Sequence, residues 1–144
     1  MNPSNLPALV NKISMEWPLR LGLGLMYLYA GFQLFNQPVL WRSFLPVWYA
    51  GIIERVISVE TYLRMQGIAE IFIGLLFLVP LELVLTGWAW FSGKWGVFAG
   101  TLYAIIEFLF ILIFTGVDLI TFRDIGLLGA AVALLIISLK KGET

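Results

Sequence analysis

Residues 95–117 read WGVFAGTLYAIIEFLFILIFTGV, an apolar stretch with one carboxyl group, that of Glu107, near its middle. A helix needs about 20 apolar residues to cross the hydrocarbon core of a bilayer, so this stretch predicts a membrane-spanning helix. A charged side chain at that depth costs roughly 2.5 to 3.5 kcal/mol even on insertion scales. We therefore expect Glu107 to face a partner helix, a cavity or a ligand rather than lipid.

The composition of the whole chain is that of an integral membrane protein. Of its 144 residues, 60% are hydrophobic and 12% are charged, which is too apolar for one soluble core of ordinary proportions. The formal net charge is zero, so nothing points to nucleic-acid binding. The chain has no Cys and no His. This excludes thiol chemistry and thiolate or imidazole metal sites, and we predict no metal and no covalently bound cofactor.

Three further apolar segments complete a predicted all-α fold, an integral membrane four-helix bundle that forms a single domain over residues 1–144. The predicted spans are 17–35, 62–85, 95–117 and 119–139. Between the first two spans, residues 47–59 carry polar side chains at helical spacing on an otherwise apolar surface. This pattern predicts an amphipathic helix that lies in the membrane interface or caps the bundle.

The distribution of basic residues predicts how the four spans are oriented. An even number of spans places both termini on one side, and that side carries Lys12, Arg20, Lys94, Lys140 and Lys141. The other side carries Arg42, Arg55, Arg64 and Arg123. Because an excess of Lys and Arg marks the cytoplasmic side, we expect both termini in the cytoplasm.

Small residues recur at spacings of three and seven on three of the predicted spans. Such residues let a neighbouring helix approach closely in a membrane. We expect six glycines to lie in helix contacts: Gly24, Gly31, Gly67, Gly74, Gly126 and Gly129. Glu70 shares a helix face with Gly67 and Gly74, so a carboxyl group is set into one of these packing surfaces.

Polar side chains within and beside the spans define a candidate ligand-binding site. Its predicted members are Glu107, Glu70, Arg20, Tyr27, Tyr103 and Arg123. In the functional interpretation they bind a polar head group, such as a quinone carbonyl or a lipid, or pass protons. In the structural interpretation each carboxyl is protonated and bonds across a helix contact, or Glu70 pairs with an arginine, and the tyrosines only pack. No catalytic residue is assigned.

Three short motifs lie in the first, second and last predicted spans. Residues 20–31 have the form R-L-x-L-G-x-x-x-x-x-A-G, residues 70–76 read EIFIGLL, and residues 123–131 read RDIGLLGAA. Together these motifs resemble the DoxX family of small bacterial and archaeal proteins with four membrane helices. The resemblance covers most of the chain.

The resemblance implies a link to quinone-dependent oxidoreduction in a prokaryotic cytoplasmic membrane, as in the DoxD-type subunits of thiosulfate:quinone oxidoreductase. It makes a quinone the candidate ligand, and oxidoreductase subunits or further copies of the chain the candidate partners within the lipid bilayer. We expect an accessory or membrane-anchoring subunit rather than an autonomous enzyme. Two alternatives stay open, a membrane scaffold or chaperone-like interaction protein without chemistry and a small proton-coupled transporter or channel.

Overall fold

The computed structural model describes residues 15–78, 93–116, 118 and 121–140. These residues form helices and turns without a strand, which confirms the all-α prediction for the described part of the chain. The helices are, in chain order, α1 (Glu16–Asn36), α2 (Pro38–Arg42), α3 (Val47–Ile53), α4 (Val59–Leu78), α5 (Gly93–Phe114) and α6 (Phe122–Lys140).

Three of these helices are long and apolar enough to cross a membrane. Within the described ranges they cover Val59–Leu78, Gly96–Phe114 and Phe122–Lys140. They correspond to the second, third and fourth predicted spans. The predicted second span continued to residue 85, and its part beyond Leu78 lies outside the described residues.

The remaining predicted span, residues 17–35, also forms a helix. At 21 residues α1 is similar in length to the other three, which have 20, 22 and 19, but it is not among the helices apolar enough to span by composition. Glu16, Arg20 and Asn36 lie within it and lower its mean hydropathy. It packs against one of the three, α4.

Glycines bring α1 and α4 into direct backbone contact. A Cβ atom built on Gly31 would lie 2.6 Å from the carbonyl oxygen of Gly67, and one on Gly67 would lie 2.7 Å from the carbonyl oxygen of Gly31. Further along, a Cβ on Gly74 would lie 2.9 Å from the carbonyl oxygen of Gly24. The two helices are therefore antiparallel. We call these four glycine positions the glycine contact. Any side chain larger than hydrogen there would require a shift of the backbone or of neighbouring side chains.

The two glycines of α6 do not lie in such a contact. Gly126 and Gly129 are exposed, and a Cβ built on either meets no described atom within 4 Å. The helix contact expected for them is therefore absent among the described residues. Gly126 lies two residues after the buried Asp124, and Gly129 lies two residues before the buried Ala131, which is about 200° of helix rotation in each case. Because Asp124 and Ala131 define the inward face of α6, both glycines lie on its outward side.

The long helices enclose one apolar core, to which α1, α4, α5 and α6 all contribute. Its buried side chains include Leu23, Tyr27, Phe77, Val97, Ala104, Phe108, Ala131 and Leu134. Contacts of α5 with α6 are second in extent only to those of α1 with α4. A smaller cluster around Leu34, Val59 and Leu63 joins α1, α3 and the first turns of α4.

The predicted amphipathic helix 47–59 is shorter in the structure, since α3 ends at Ile53 and the chain turns before α4 begins at Val59. The side chain of Ser58 explains the break. Its Oγ accepts a hydrogen bond from the backbone N–H of Thr61 at 3.2 Å, as an N-cap residue does. Ser58 therefore belongs to the start of α4.

Aromatic contacts locate α3 at one end of the long helices. The Trp48 ring lies 5.4 Å from that of Phe114, and the Tyr49 ring lies 5.3 Å from that of Phe110. We call this end, where α4 begins and α5 ends, the α3 end. The opposite end, where α1 begins and α6 finishes, is called the terminal end.

Candidate functional site

Glu107 is bonded to α1 through a tyrosine. The Tyr27 hydroxyl donates to Oε2 of Glu107 at 2.6 Å. Tyr27 is 1% exposed, and its ring centroid lies 6.1 Å from those of Phe77 and Phe108 and 6.2 Å from that of Tyr103. Packing on several sides fixes the phenol, so its hydroxyl meets Glu107 at a fixed position.

Gln66 on α4 joins the two carboxyl groups within the spans. Its Nε2 donates to Oε1 of Glu70 and to Oε1 of Glu107, each at 3.2 Å. The two carboxyl groups are thus bonded to the same amide nitrogen. We call Glu70 and Glu107 the acidic pair.

The acidic pair has no basic partner among the described residues. Glu70 is 4% exposed and lies in the glycine contact, where its Cβ is 3.0 Å from the position of a Cβ on Gly31. The ion pairs found in the described ranges are Arg20–Glu16, Arg42–Glu54 and Arg123–Asp124. In place of the predicted pairing with an arginine, Glu70 accepts a hydrogen bond from Gln66.

Arg20, a predicted site residue, lies at the terminal end. Its Nε donates to the carbonyl oxygen of Phe77 at 2.8 Å, and its Nη1 donates to Glu16 at 3.2 Å. The guanidinium also lies 4.7 Å from the centre of the Trp17 ring. Phe77 is two helical turns from Glu70, so Arg20 stabilises the last turn of α4 rather than the acidic pair.

Arg123, the other predicted basic member, is also outside the acidic pair. Its side chain is 61% exposed and its Nε lies 3.6 Å from Oδ1 of the neighbouring Asp124. Just before α6, the Thr121 N–H donates to Asp118 at 2.7 Å and the Asp118 N–H donates to the Thr121 hydroxyl at 2.8 Å. These groups organise the start of α6, at the α3 end.

Three further tyrosines lie in this part of the molecule: Tyr49 and Tyr62 toward the α3 end, and Tyr103 on α5, one helical turn before Glu107. The hydroxyls of Tyr49 and Tyr62 are 2.8 Å apart. The Tyr103 ring contacts that of Tyr27, whose hydroxyl bonds to Glu107. Among the described residues the Tyr103 hydroxyl has no hydrogen-bond partner, which leaves it able to bond to a ligand.

Of the predicted site residues, the structure therefore brings together Glu107, Glu70, Tyr27 and Tyr103. It adds Gln66, Tyr62 and Tyr49, which the sequence analysis did not select. Tyr62, Gln66 and Glu70 follow one another at intervals of four, so they line one face of α4. That polar line within an apolar helix is the signal from which Gln66 and Tyr62 could have been found.

Chemically, the site offers two carboxyl groups, hydrogen-bond donors and aromatic surface. A carboxyl group donates when it is protonated and accepts when it is ionised, and the Gln66 amide holds both carboxyl groups in place. Among the described residues no group of three or more acidic side chains is arranged to hold a metal ion. The arrangement therefore suits proton transfer and the binding of a polar group inside the membrane.

Comparison with known proteins adds no relative: no protein-family model matches the sequence, and no curated protein and no solved structure matches it. The resemblance to the DoxX family stays a prediction from its three motifs. One residue of each kind in those motifs can be located: Arg20 bonds to the last turn of α4, Gly31 lies in the glycine contact, and Glu70 belongs to the acidic pair.

Proposed function

We propose that this chain is a four-helix integral membrane protein of the DoxX type that binds the polar head group of a lipophilic ligand at the acidic pair. The observation that carries the proposal is the acidic pair itself, buried within apolar helices and held by Tyr27 and Gln66 without a basic partner among the described residues. Ionisable groups at such depth are expensive and mark ligand or proton sites.

The fourth span of this proposal is α1. The glycine contact keeps α1 against α4 from the Gly24–Gly74 level to the Gly31–Gly67 level, a rise of about 10 Å over seven residues of helix. Because α4 is long and apolar enough to span, a helix packed along it at this distance shares its depth. The outward face of α1 supports the same placement, since Leu21, Leu25 and Phe32 are exposed there.

A quinone is the ligand class that this site suits. The hydroxyl of Tyr103 can donate to a carbonyl oxygen, and a carboxyl group of the acidic pair can do the same when it is protonated. The rings of Tyr27 and Phe108 supply apolar surface beside these donors. A ligand with a polar ring and an isoprenoid tail would place its ring here and its tail among the helices or in lipid.

In this proposal the protein is an accessory or membrane-anchoring subunit of a quinone-linked oxidoreductase system in a prokaryotic cytoplasmic membrane, with both termini in the cytoplasm. The residues of the site can hold a ligand and a proton, and electron transfer is assigned to partner subunits. The absence of Cys and His from the sequence fits this division, since no thiol or imidazole could carry redox chemistry or ligate a metal.

The test is retention of ligand during purification in mild detergent, read by mass spectrometry of the organic extract. We expect a quinone at a fixed ratio to the wild-type chain, and about a tenfold loss in Glu107→Gln, which corresponds to about 1.4 kcal/mol of binding free energy. Glu60→Gln is the matched control, because Glu60 is exposed on the same helix as Glu70. Equal retention by both variants would exclude the acidic pair as the binding site.

The scaffold alternative makes a different prediction for the same preparation. It expects bulk lipid only in the extract, together with a discrete oligomer or a copurified protein in the native mass spectrum. Enlarging Gly67 or Gly74 does not separate the two proposals, since both glycines lie in a contact within one chain and their enlargement would unfold it.

A further inference from the structure

One face of α5 is directed toward α4 and α3. Its members follow one another at intervals of four and three, and they are Gly96, Gly100, Tyr103, Glu107, Phe110 and Phe114. At the terminal end both glycines pack against α4, where a Cβ on Gly100 would lie 3.3 Å from Cζ of Phe77. At the α3 end the rings of both phenylalanines contact α3. Tyr103 and Glu107 lie between these two contacts.

The facing side of α4 has the same spacing. Its members are Tyr62, Gln66, Ala69, Ile73 and Leu76. At the terminal end Leu76 packs against Gly96 of α5. At the α3 end the Tyr62 hydroxyl lies 2.8 Å from that of Tyr49, whose ring also contacts α5. Ala69 lies between these levels and is exposed. The line along which α4 and α5 meet, which we call the α4–α5 seam, is therefore closed at both ends and open beside Ala69.

The acidic pair is shielded on its α1 side and accessible from the α4–α5 seam. On the α1 side, Tyr27 is 1% exposed and Glu70 is 4% exposed. On the seam, Gln66, Tyr103 and Glu107 each keep part of their surface exposed. Within the described helices, α4 and α5 also contact each other less extensively than α1 contacts α4 or α5 contacts α6. The seam is therefore an accessible approach to Glu107.

We propose that the α4–α5 seam admits the lipophilic ligand sideways from the lipid at Ala69, and that the apolar tail of the bound ligand lies in this opening. Gly100, in the contact at the terminal end, and Glu107 are seven residues apart, which is about 10 Å along α5. Around the opening the Tyr103 ring supplies apolar surface, and Gln66 and Glu107 supply polar groups. A ligand dissolved in the hydrocarbon then reaches the acidic pair without crossing either aqueous surface.

The binding of the ligand at the acidic pair rests on the function proposed above. The opening itself rests only on the membrane-spanning arrangement, because it is defined by the contacts of α4 and α5. It is therefore tested with a small lipophilic reagent as well as with the ligand, so that the opening and the proposed ligand can fail separately.

The first test uses dicyclohexylcarbodiimide, an apolar reagent, on the full chain in lipid vesicles. A protonated carboxyl adds to it: the carboxyl oxygen bonds to the central carbon, the proton goes to nitrogen, and acyl transfer to nitrogen leaves a stable acylurea. Mass spectrometry identifies the labelled residue. We expect Glu107, partly exposed on the seam, to be labelled faster than Glu70, which is 4% exposed. Faster labelling of Glu70, or no labelling of either, would overturn the inference.

The second test blocks the opening after the protein has folded. The chain has no cysteine of its own, so Ala69→Cys can be modified alone with a bulky, lipid-soluble pyrene maleimide. We expect carbodiimide labelling of Glu107 to become at least about tenfold slower after this modification, which corresponds to about 1.4 kcal/mol of added barrier. Ile68→Cys is the matched control, because Ile68 precedes Ala69 in the sequence and is 55% exposed on the lipid-facing side of α4.

Unmodified Ala69→Cys should be labelled at Glu107 as fast as wild type, which shows that the variant is folded. Equal rates in the two modified variants would overturn the inference. So would an Ala69→Cys thiol that does not react with the maleimide, since the opening requires this position to be reachable from lipid.

The position of the tail is tested with the quinone-loaded protein. We expect the maleimide to react with Ala69→Cys at least several-fold more slowly when quinone is bound, and with Ile68→Cys at an unchanged rate. Quinone retention without this protection would refute the tail position. A wild type that retains no quinone but passes both carbodiimide tests would refute the proposed ligand and keep the opening.

Discussion

The inward and outward faces of the long helices carry the same residue types, but only the inward residues make contacts with a neighbouring helix. Gly31 meets the backbone of α4, whereas Gly129 of α6 meets no described atom within 4 Å. Tyr27 is 1% exposed and bonds to Glu107, whereas Tyr29, two residues on, is 68% exposed. In these helices, therefore, the direction in which a side chain leaves the helix decides its role, and the residue type alone does not.

The largest expected effect comes from placing a bulky side chain in the glycine contact. Gly67→Leu would drive a side chain into the carbonyl oxygen of Gly31, 2.7 Å from the Cβ position, and into the backbone nitrogen of Phe35 at 2.8 Å. We expect a loss of at least about 3 kcal/mol in the free energy of unfolding, or no folded protein. Unfolding in mixed detergent measures this, and folding as stable as wild type would refute the backbone contact.

A smaller effect separates two positions within the glycine contact. A Cβ on Gly31 would meet backbone atoms, whereas one on Gly24 would lie 2.6 Å from Cγ of Leu78, part of a side chain that can rotate. We expect Gly31→Ala to cost about 2 kcal/mol of unfolding free energy and Gly24→Ala less than about 1 kcal/mol. Equal losses in the two variants would show that the neighbouring backbone yields as easily as a side chain.

The tyrosine comparison should give a smaller difference. Tyr27→Phe removes the hydroxyl that donates to Glu107, and interhelical hydrogen bonds in membrane proteins contribute about 0.6 kcal/mol on average and up to about 1.7. We expect a loss of about 1 kcal/mol, against no measurable loss in Tyr29→Phe. A double-mutant cycle with Glu107→Gln should assign most of the loss to this one bond; an additive cycle would argue against it.

The smallest effect is expected on α6. Gly129→Leu and Gly126→Leu place their side chains where no described atom lies within 4 Å, so the unfolding free energy should stay within about 0.5 kcal/mol of wild type. The same unfolding assay measures it. A loss comparable to that of Gly67→Leu would mean that α6 packs against a second protein surface through these glycines.

Much of the fold follows from hydropathy and helix length. The stretches that become α4, α5 and α6 are apolar for the length of a bilayer, and their helices follow directly from that pattern. Ser58 shows where hydropathy is insufficient. Ser58 caps the start of α4, so the helix predicted over 47–59 ends at Ile53. The spacing of polar and apolar residues does not reveal such a local hydrogen bond.

The candidate site was predictable only in part. The cost of burying a carboxyl singles out Glu107 and Glu70 from sequence, but their partners depend on how four helices are rotated against each other. Arg20 illustrates the limit, since charge alone suggested a place beside the carboxyls and the structure puts it on the Phe77 carbonyl. Gln66 is uncharged, so the cost of burying a charge does not single it out, although its amide joins the two carboxyl groups of the acidic pair.

The extensive contact between α1 and α4 also sets an order of assembly. These are the first two long helices to be synthesised, and their glycine contact involves no residue of α5 or α6, so a helical hairpin can form before the rest of the chain enters the membrane. Tyr27, Gln66 and Glu70 are then already in position. In the proposed four-span arrangement, Glu107 would enter the bilayer after them with α5, and the Tyr27 hydroxyl and the Gln66 amide would stabilise its insertion.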